Sequence, residues 1–283
     1  MSGSFTAACL QLCSAREVEP NIASVRDLAR RARDAGADFI MTPEVTDMME
    51  PKRDQVFAKA KTEAEHPMVA ACREIARETG AWFLLGSAVT KLTDEPRLAN
   101  RSYLIAPDGG VAARYDKIHM FDVDLDGGET YRESRSYRPG DRAVLADLPW
   151  GRLGMTICYD LRFPDLYRAL ALGGASFLSV PSAFTVPTGR AHWHTLLRAR
   201  AIENFCFVFA PAQSGEHAAG RKTFGHSLIV APWGEILAES QDGPGFVTAT
   251  IDTGKIAEAR RAVPSLSHDR AFAPPAVKPL AAE

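Results

Sequence analysis

The chain has no C-x-x-C pair, and its five cysteines (Cys9, Cys13, Cys72, Cys158 and Cys206) are an odd, scattered set among 283 residues. That usage excludes a disulfide framework and a cysteine-based zinc site, and it fits a reducing compartment. No run approaches the roughly 18 consecutive apolar residues that a membrane-spanning helix needs. The start, Met1-Ser-Gly-Ser-Phe, lacks the basic stretch and long apolar run of a signal peptide. Neither sign of charge is in excess: 33 Lys and Arg against 35 Asp and Glu leave −2. A chain so balanced has no electrostatic footprint for nucleic acid or an anionic membrane surface. The expectation is a cytoplasmic protein with neither as partner. Low-complexity linkers and repeats of fixed length are also absent.

What is present is enough apolar residue, 46% of the total, to bury one large core. Strand patterns at Phe5 to Leu12, Asp38 to Thr42, Ala81 to Val89, Ala175 to Val180 and Phe205 to Ala210 alternate with helix patterns. The helices are expected at Asn21 to Ala35, through Asp54 to Thr79 with a break near Pro67, at Phe163 to Gly173, at His192 to Glu203 and at Lys255 to Arg261. Pro107-Asp-Gly-Gly110 and Pro232-Trp-Gly-Glu235 each separate two strand patterns, so two hairpins interrupt the alternation. Hairpins have no place in a purely parallel sheet; mixed sheets covered by helices fit better. Residues 1–270 are expected as one domain, and 271–283, with Pro274, Pro275 and Pro279, as an extended arm. The polar stretch from His119 to Arg142 reads as a long loop of the kind that usually serves function.

Cys158 is the most informative residue. Leu153, Met155 and Ile157 alternate as one apolar strand face, and a helix pattern starts at Phe163 and Pro164. A thiol at such an elbow lies near unpaired backbone N–H groups and a positive helix end, both of which favour thiolate. An arbitrary cysteine is more often plain core, so the residue needs company. A thiol that cleaves a carbonyl–nitrogen bond needs a base and a cation or N–H donors where the oxyanion forms. Glu44 in Thr-Pro-Glu-Val and Lys117 in Tyr-Asp-Lys-Ile-His offer both at strand ends, although either alone reads as a surface charge. His192 and His194 cannot face the same way from a helix, so no zinc motif is formed; with His119 and His226 they read as structural hydrogen-bonders.

These stretches resemble the carbon–nitrogen hydrolase (nitrilase) superfamily over Ala8 to about Arg270. The resemblance rests on Gly-Ala-Asp-Phe-Ile-Met-Thr-Pro-Glu44, Arg-Tyr-Asp-Lys117-Ile-His-Met-Phe and Ile-Cys158-Tyr-Asp-Leu-Arg-Phe-Pro. It continues in Pro-Ser-Ala-Phe184, Thr-Gly-Arg-Ala-His192-Trp, Arg-Ala-Arg-Ala-Ile-Glu203-Asn and Gly-His226-Ser-Leu-Ile-Val-Ala-Pro-Trp-Gly. The match is closest to the Nit-type amidases, which include omega-amidase and deaminated glutathione amidase. It implies an α-β-β-α sandwich of two mixed sheets with helices on the outer faces. It also implies Cys158 as nucleophile, Glu44 as general base, Lys117 as the cation near the oxyanion, and Glu133 as a second glutamate positioning the lysine. The N–H of Tyr159 would join the oxyanion site. Arg162 would take a substrate carboxylate, unless it is consumed by an ion pair with Asp160 or Asp165; Phe184 and Thr188 would line the pocket, with Phe121 and Tyr159 as further walls.

No cofactor and no metal are implied. The implied partner is a small carboxylated amide cleaved through a cysteine thioester, and the implied assembly is a homodimer or higher homo-oligomer. Ala-Pro-Ala-Gln213-Ser-Gly-Glu-His217 looks more like deaminated glutathione amidase. Omega-amidase activity on α-ketoglutaramate, nitrile or N-carbamoyl cleavage, and a non-catalytic scaffold stay open in that order. Arg190, where the family often has proline or a smaller group, is a departure expected to affect how a substrate tail is received.

Overall fold

In the computed structural model, which describes residues 3–124 and 130–273, two six-stranded sheets stack face to face. The first runs in the order Gly245–Asp252, Ser4–Gln11, Phe39–Met41, Trp82–Lys91, Leu98–Ile105, Val111–Asp116. The second runs Ile236–Glu239, Leu228–Val230, Phe207–Ala210, Ala175–Ser179, Gly151–Met155, Val144–Leu148. Each has a parallel centre and antiparallel flanks, and both expected hairpins are among the flanks. Alternation along Ser4–Gln11 sorts the layers. Phe5, Ala7 and Cys9 join the core cluster between the sheets, while Ala8 and Leu10 face helices Val18–Asp34 and Pro67–Thr79. Edge-to-face rings tie the sheets together, Phe5 with Phe177 at 5.4 Å and Phe39 with Phe209 at 6.0 Å between centroids. Helices Pro164–Leu172 and Val186–Asn204 cover the outer face of the second sheet. This is the expected sandwich.

Some elements differ from the sequence reading, each for a physical reason. The helix expected from His192 begins at Val186, because Pro187 falls in its first turn, where a missing N–H is harmless. Gly189 then lies inside the helix, and the place of its absent Cβ is filled by the Phe224 ring. The stretch Asp54 to Thr79 divides into Arg53–Lys59, a 3-10 turn at Glu63–Glu65, and Pro67–Thr79. Strand Val144–Leu148 and the hairpin Ser214–Glu216 with Lys222–Phe224 had no sequence reading. The long loop carries its own hairpin, Asp122–Asp124 with Thr130–Arg132, and a turn at Glu133–Arg135. Most of the expected terminal arm, 274–283, lies outside the described residues. No helix among the described residues is long and apolar enough to cross a membrane.

One close approach controls how the strands present their ends. A Cβ on Gly86 would stand 1.9 Å from the Thr42 carbonyl oxygen and 2.5 Å from that of Pro43. Only glycine lets the strand Trp82–Lys91 lie this close to the turn that carries Glu44. Gly86→Ala is therefore expected to destabilise by about 3 kcal/mol, read as a lower urea midpoint, and to displace Glu44. A midpoint equal to wild type would contradict this packing.

Candidate active site

Three strands end at one crevice. Phe39–Met41 leads to Glu44 and Gly151–Met155 to Cys158. Val111–Asp116, two antiparallel steps from Trp82–Lys91, leads to Lys117. Loops beyond carboxyl ends of strands are the usual place for a site in such sheets. Two turns there are held in the left-handed region: Cys158 itself has φ +50° and Val45, beside Glu44, has φ +47°. Such backbone is costly for side chains with a Cβ, most of all for a β-branched one, and persists only where its surroundings hold it. Val45 N–H donates to Ser87 Oγ at 2.8 Å, and Cys158 N–H donates to the Pro181 carbonyl at 2.9 Å.

Asp160, fully buried, fixes the cysteine turn from below. Its carboxylate accepts from Ile157 N–H at 2.8 Å, Tyr115 Oη at 2.7 Å and His119 N–H at 3.0 Å, and meets His119 Nδ1 at 2.7 Å. His119 in turn stacks flat on Phe163, centroids 3.5 Å apart. Tyr115 is two residues before Lys117, so this one carboxylate couples the cysteine turn to the lysine strand. A 3-10 turn, Cys158–Arg162, follows the nucleophile position, and the helix starts only at Pro164. The helix thus starts where the sequence placed it, one short turn beyond the sulfur. The Tyr159 N–H, by contrast, donates to no acceptor among the described residues.

The Lys117 ammonium bridges two carboxylates, donating to Glu44 Oε1 at 2.8 Å and to Glu133 Oε2 and Oε1 at 2.9 and 3.1 Å. Asn100 Nδ2 donates to the same pair, at 3.0 Å to Glu44 and 3.2 Å to Glu133. Phe121 N–H adds a 2.7 Å bond to Glu133. Lys117 is 2% exposed, so its charge acts where water screens little. Burial alone would raise the Glu44 carboxyl; Lys117, by charge and hydrogen bond, overrides it and holds Glu44 below its ordinary 4.5. Burial, and then the neighbouring Glu44 charge, push the Cys158 thiol well above its ordinary 9.0. The resting group is a thiol beside a carboxylate. This corrects the expected resting thiolate, because desolvation outweighs the favourable donors.

Iodoacetamide alkylation of Cys158 is accordingly expected to keep accelerating past pH 9. In Glu44→Gln the curve shifts to lower pH, since a raising charge is gone. A plateau below pH 8 in the wild-type protein, followed by mass spectrometry, would be inconsistent with this.

The sulfur lies in a cavity of about 290 Å³, the scale of a small metabolite. Glu44, Lys117, Glu133 and Cys158 share it with Tyr159, Arg162, Phe184, Thr188 and Phe121. Sequence reading thus brought together every residue it singled out for the site except Arg190. That side chain borders a separate hollow with Ser214, Phe224 and His226. Arg162 forms no ion pair with Asp160 or Asp165; its Nη2 meets His192 Nδ1 at 3.3 Å and its guanidinium lies 5.8 Å from the Phe184 ring centroid. Asn100, Tyr137 and Arg221 are among the lining residues that had no sequence reading. Asn100 stands in an ordinary strand with nothing to mark it, whereas Arg221 lies just past the stretch ending at His217 that looked branch-specific. The histidines behave as expected hydrogen-bonders, with His194 Nε2 and His226 Nδ1 sharing Glu239 Oε1 at 2.8 and 2.7 Å. These three side chains are close enough together to hold an ion, and none lines the Cys158 cavity.

Comparison with known proteins gives the same answer as the geometry. Residues 6–261 match the model of the carbon-nitrogen hydrolase family. The chain is 42% identical over 272 residues to a deaminated glutathione amidase of Yersinia enterocolitica, covering 93% of this chain and 92% of that one. It superposes on the crystal structure of the Caenorhabditis elegans NitFhit protein with a TM-score of 0.89 at 36% identity, over 95% of this chain and 66% of that one. Saccharomyces cerevisiae Nit3, a member of branch 10 of the nitrilase superfamily, gives 0.83 at 27% identity, over 92% and 94%. With a thiol, two carboxylates and a buried ammonium converging where the matched family has its sandwich, the chain belongs to the carbon–nitrogen hydrolase family.

Proposed function

We propose that the chain hydrolyses the amide bond of deaminated glutathione, the substrate in the name of its relatives, through a thioester on Cys158. The observation that carries this reading is the Lys117 ammonium shared by Glu44 and Glu133 in the cavity that holds the thiol. Sulfur attacks the carbonyl carbon while the thiol proton passes to Glu44. The oxyanion forms near Lys117 Nζ and the Tyr159 N–H. As Glu44 takes the proton it loses its charge, and Lys117 exchanges a carboxylate for an oxyanion. No net charge builds up in the buried site, which is what makes a low-lying carboxylate an adequate base for a high-lying thiol.

Glu44 then hands its proton to the departing amine as the C–N bond breaks, leaving the thioester. Water gives a proton to the same carboxylate, its hydroxyl attacks the thioester, and the proton returns to sulfur as the acid leaves. Glu133 holds Lys117 in place while Glu44 is neutral. Arg162 suits the 2-oxo carboxylate of the acyl part, against Phe184 and Thr188. The test compares kcat/KM for deaminated glutathione, α-ketoglutaramate and plain aliphatic amides. Preference for α-ketoglutaramate would move the assignment to omega-amidase, and faster acid release from a nitrile would overturn the amide reading.

A further inference from the structure

The cavity contains a second guanidinium that the proposed chemistry leaves without work. Arg221 lines it, in the turn before strand Lys222–Phe224. The turn is fixed by left-handed Ala219 and Gly220, at φ +58° and +78°, and by the Arg221 carbonyl accepting from His217 N–H at 2.7 Å. The side chain is held but not satisfied. Its guanidinium lies 5.7 Å from the Tyr131 ring centroid, and its Nη2 reaches the Ala183 carbonyl only at 3.5 Å. Its Nε–H is buried with no acceptor among the described residues, and no carboxylate of the described residues pairs with it. A partly buried fork of N–H donors without an anion is the arrangement that a carboxylate completes.

Position says which part of a substrate would bring that anion. Ala183 lines the same cavity as Cys158, and its carbonyl faces Arg221. Arg221 therefore shares the cavity wall at Ala183 with the nucleophile's pocket. Its charge helps hold down Glu44, the group that protonates the departing amine, whereas Arg162 is anchored separately, over the Phe184 ring and at His192 Nδ1. Arg53, the remaining unpaired guanidinium of the cavity, is solvent-exposed and rests on Phe57, so it is not comparably prepared.

We infer that Arg221 binds a carboxylate on the leaving amine, so that the site is built for amides charged at both ends: an oxo-acid carboxylate at Arg162 and a peptide-like carboxylate at Arg221. This rests on the amidase reading above and extends it to the departing half of the substrate. The test uses two probes, the γ-amide of 2-oxoglutarate with cysteinylglycine and the same amide with cysteinylglycinamide, whose far end is neutral. In wild-type enzyme kcat/KM is expected to favour the first by about 10- to 100-fold, the weight of one charged hydrogen-bonded pair. In Arg221→Ala that ratio falls to near one, and in Arg221→Lys it is partly kept, because a lysine supplies charge without the fork. Arg162→Ala slows both probes and keeps the ratio. A ratio near one in wild type, or an undiminished ratio in Arg221→Ala, overturns the assignment to Arg221. Wild-type enzyme that cleaves neither probe overturns the amidase reading instead.

Discussion

Cys158→Ala is expected to reduce amide hydrolysis by about 10⁴-fold or more, the scale seen when a covalent nucleophile is removed and only binding and oxyanion donors remain. Folding should survive. The residue is 8% exposed, the lost sulfur leaves a gap open to the cavity, and alanine bears the left-handed backbone at φ +50° no worse than cysteine does. The measurement is ammonia or amine release together with intact-protein mass during turnover, where wild type shows an acyl adduct and the variant none. Hydrolysis within tenfold of wild type would remove the thioester from the mechanism.

The reactive residues were legible because each sits where a recognisable pattern stops. Pro43 closes a short strand before Glu44, and Leu153, Met155 and Ile157 alternate up to Cys158. What held those groups together was not legible. Asp160 is one acidic residue among 35 Asp and Glu, and three of its four contacts come from Tyr115 and His119, more than 40 positions away. Asn100 likewise bonds residues 56 and 33 positions away. Local pattern carries no information about partners brought close only by sheet order. The resting thiol was misjudged for a related reason: the elbow and its donors are local, but the burial and the Glu44 charge that outweigh them are tertiary.

A second feature escaped because it is topological. From strand Ser4–Gln11, with its antiparallel neighbour on one side, two parallel steps and then two antiparallel steps lead across the first sheet. From Gly151–Met155 the second sheet repeats those steps in the same order. The halves share pairing geometry, not residues. Each sheet brings reactive groups to the crevice, Glu44 and Lys117 from the first and Cys158 from the second, but from strands at different steps of the shared pattern.

Lys117→Met should show most about the energetics, because it removes the cation and keeps the volume. Glu44 and Glu133 then face each other with no ammonium between them, and breaking such a buried network costs about 3–5 kcal/mol. Activity should fall about 10³-fold or more, since the oxyanion loses its cation. The pH dependence of stability should also reverse. In the wild-type protein Glu44 is held below 4.5. Its stabilising contribution is therefore complete above that pH and is lost as pH falls below it. Without Lys117, burial, the largest influence on Glu44, raises the carboxyl instead, and the folded state binds a proton that the unfolded chain has already released. The variant is then most stable near pH 4.5 and loses stability as pH rises toward neutrality. Urea midpoints at pH 5 and pH 8 read this directly: the variant should be the weaker at both, with the larger deficit at pH 8. Adding Glu44→Gln should recover part of that deficit by leaving one carboxylate instead of two. An equal deficit at both pH values, or no recovery in the double variant, would mean that Lys117 is not what keeps Glu44 ionised.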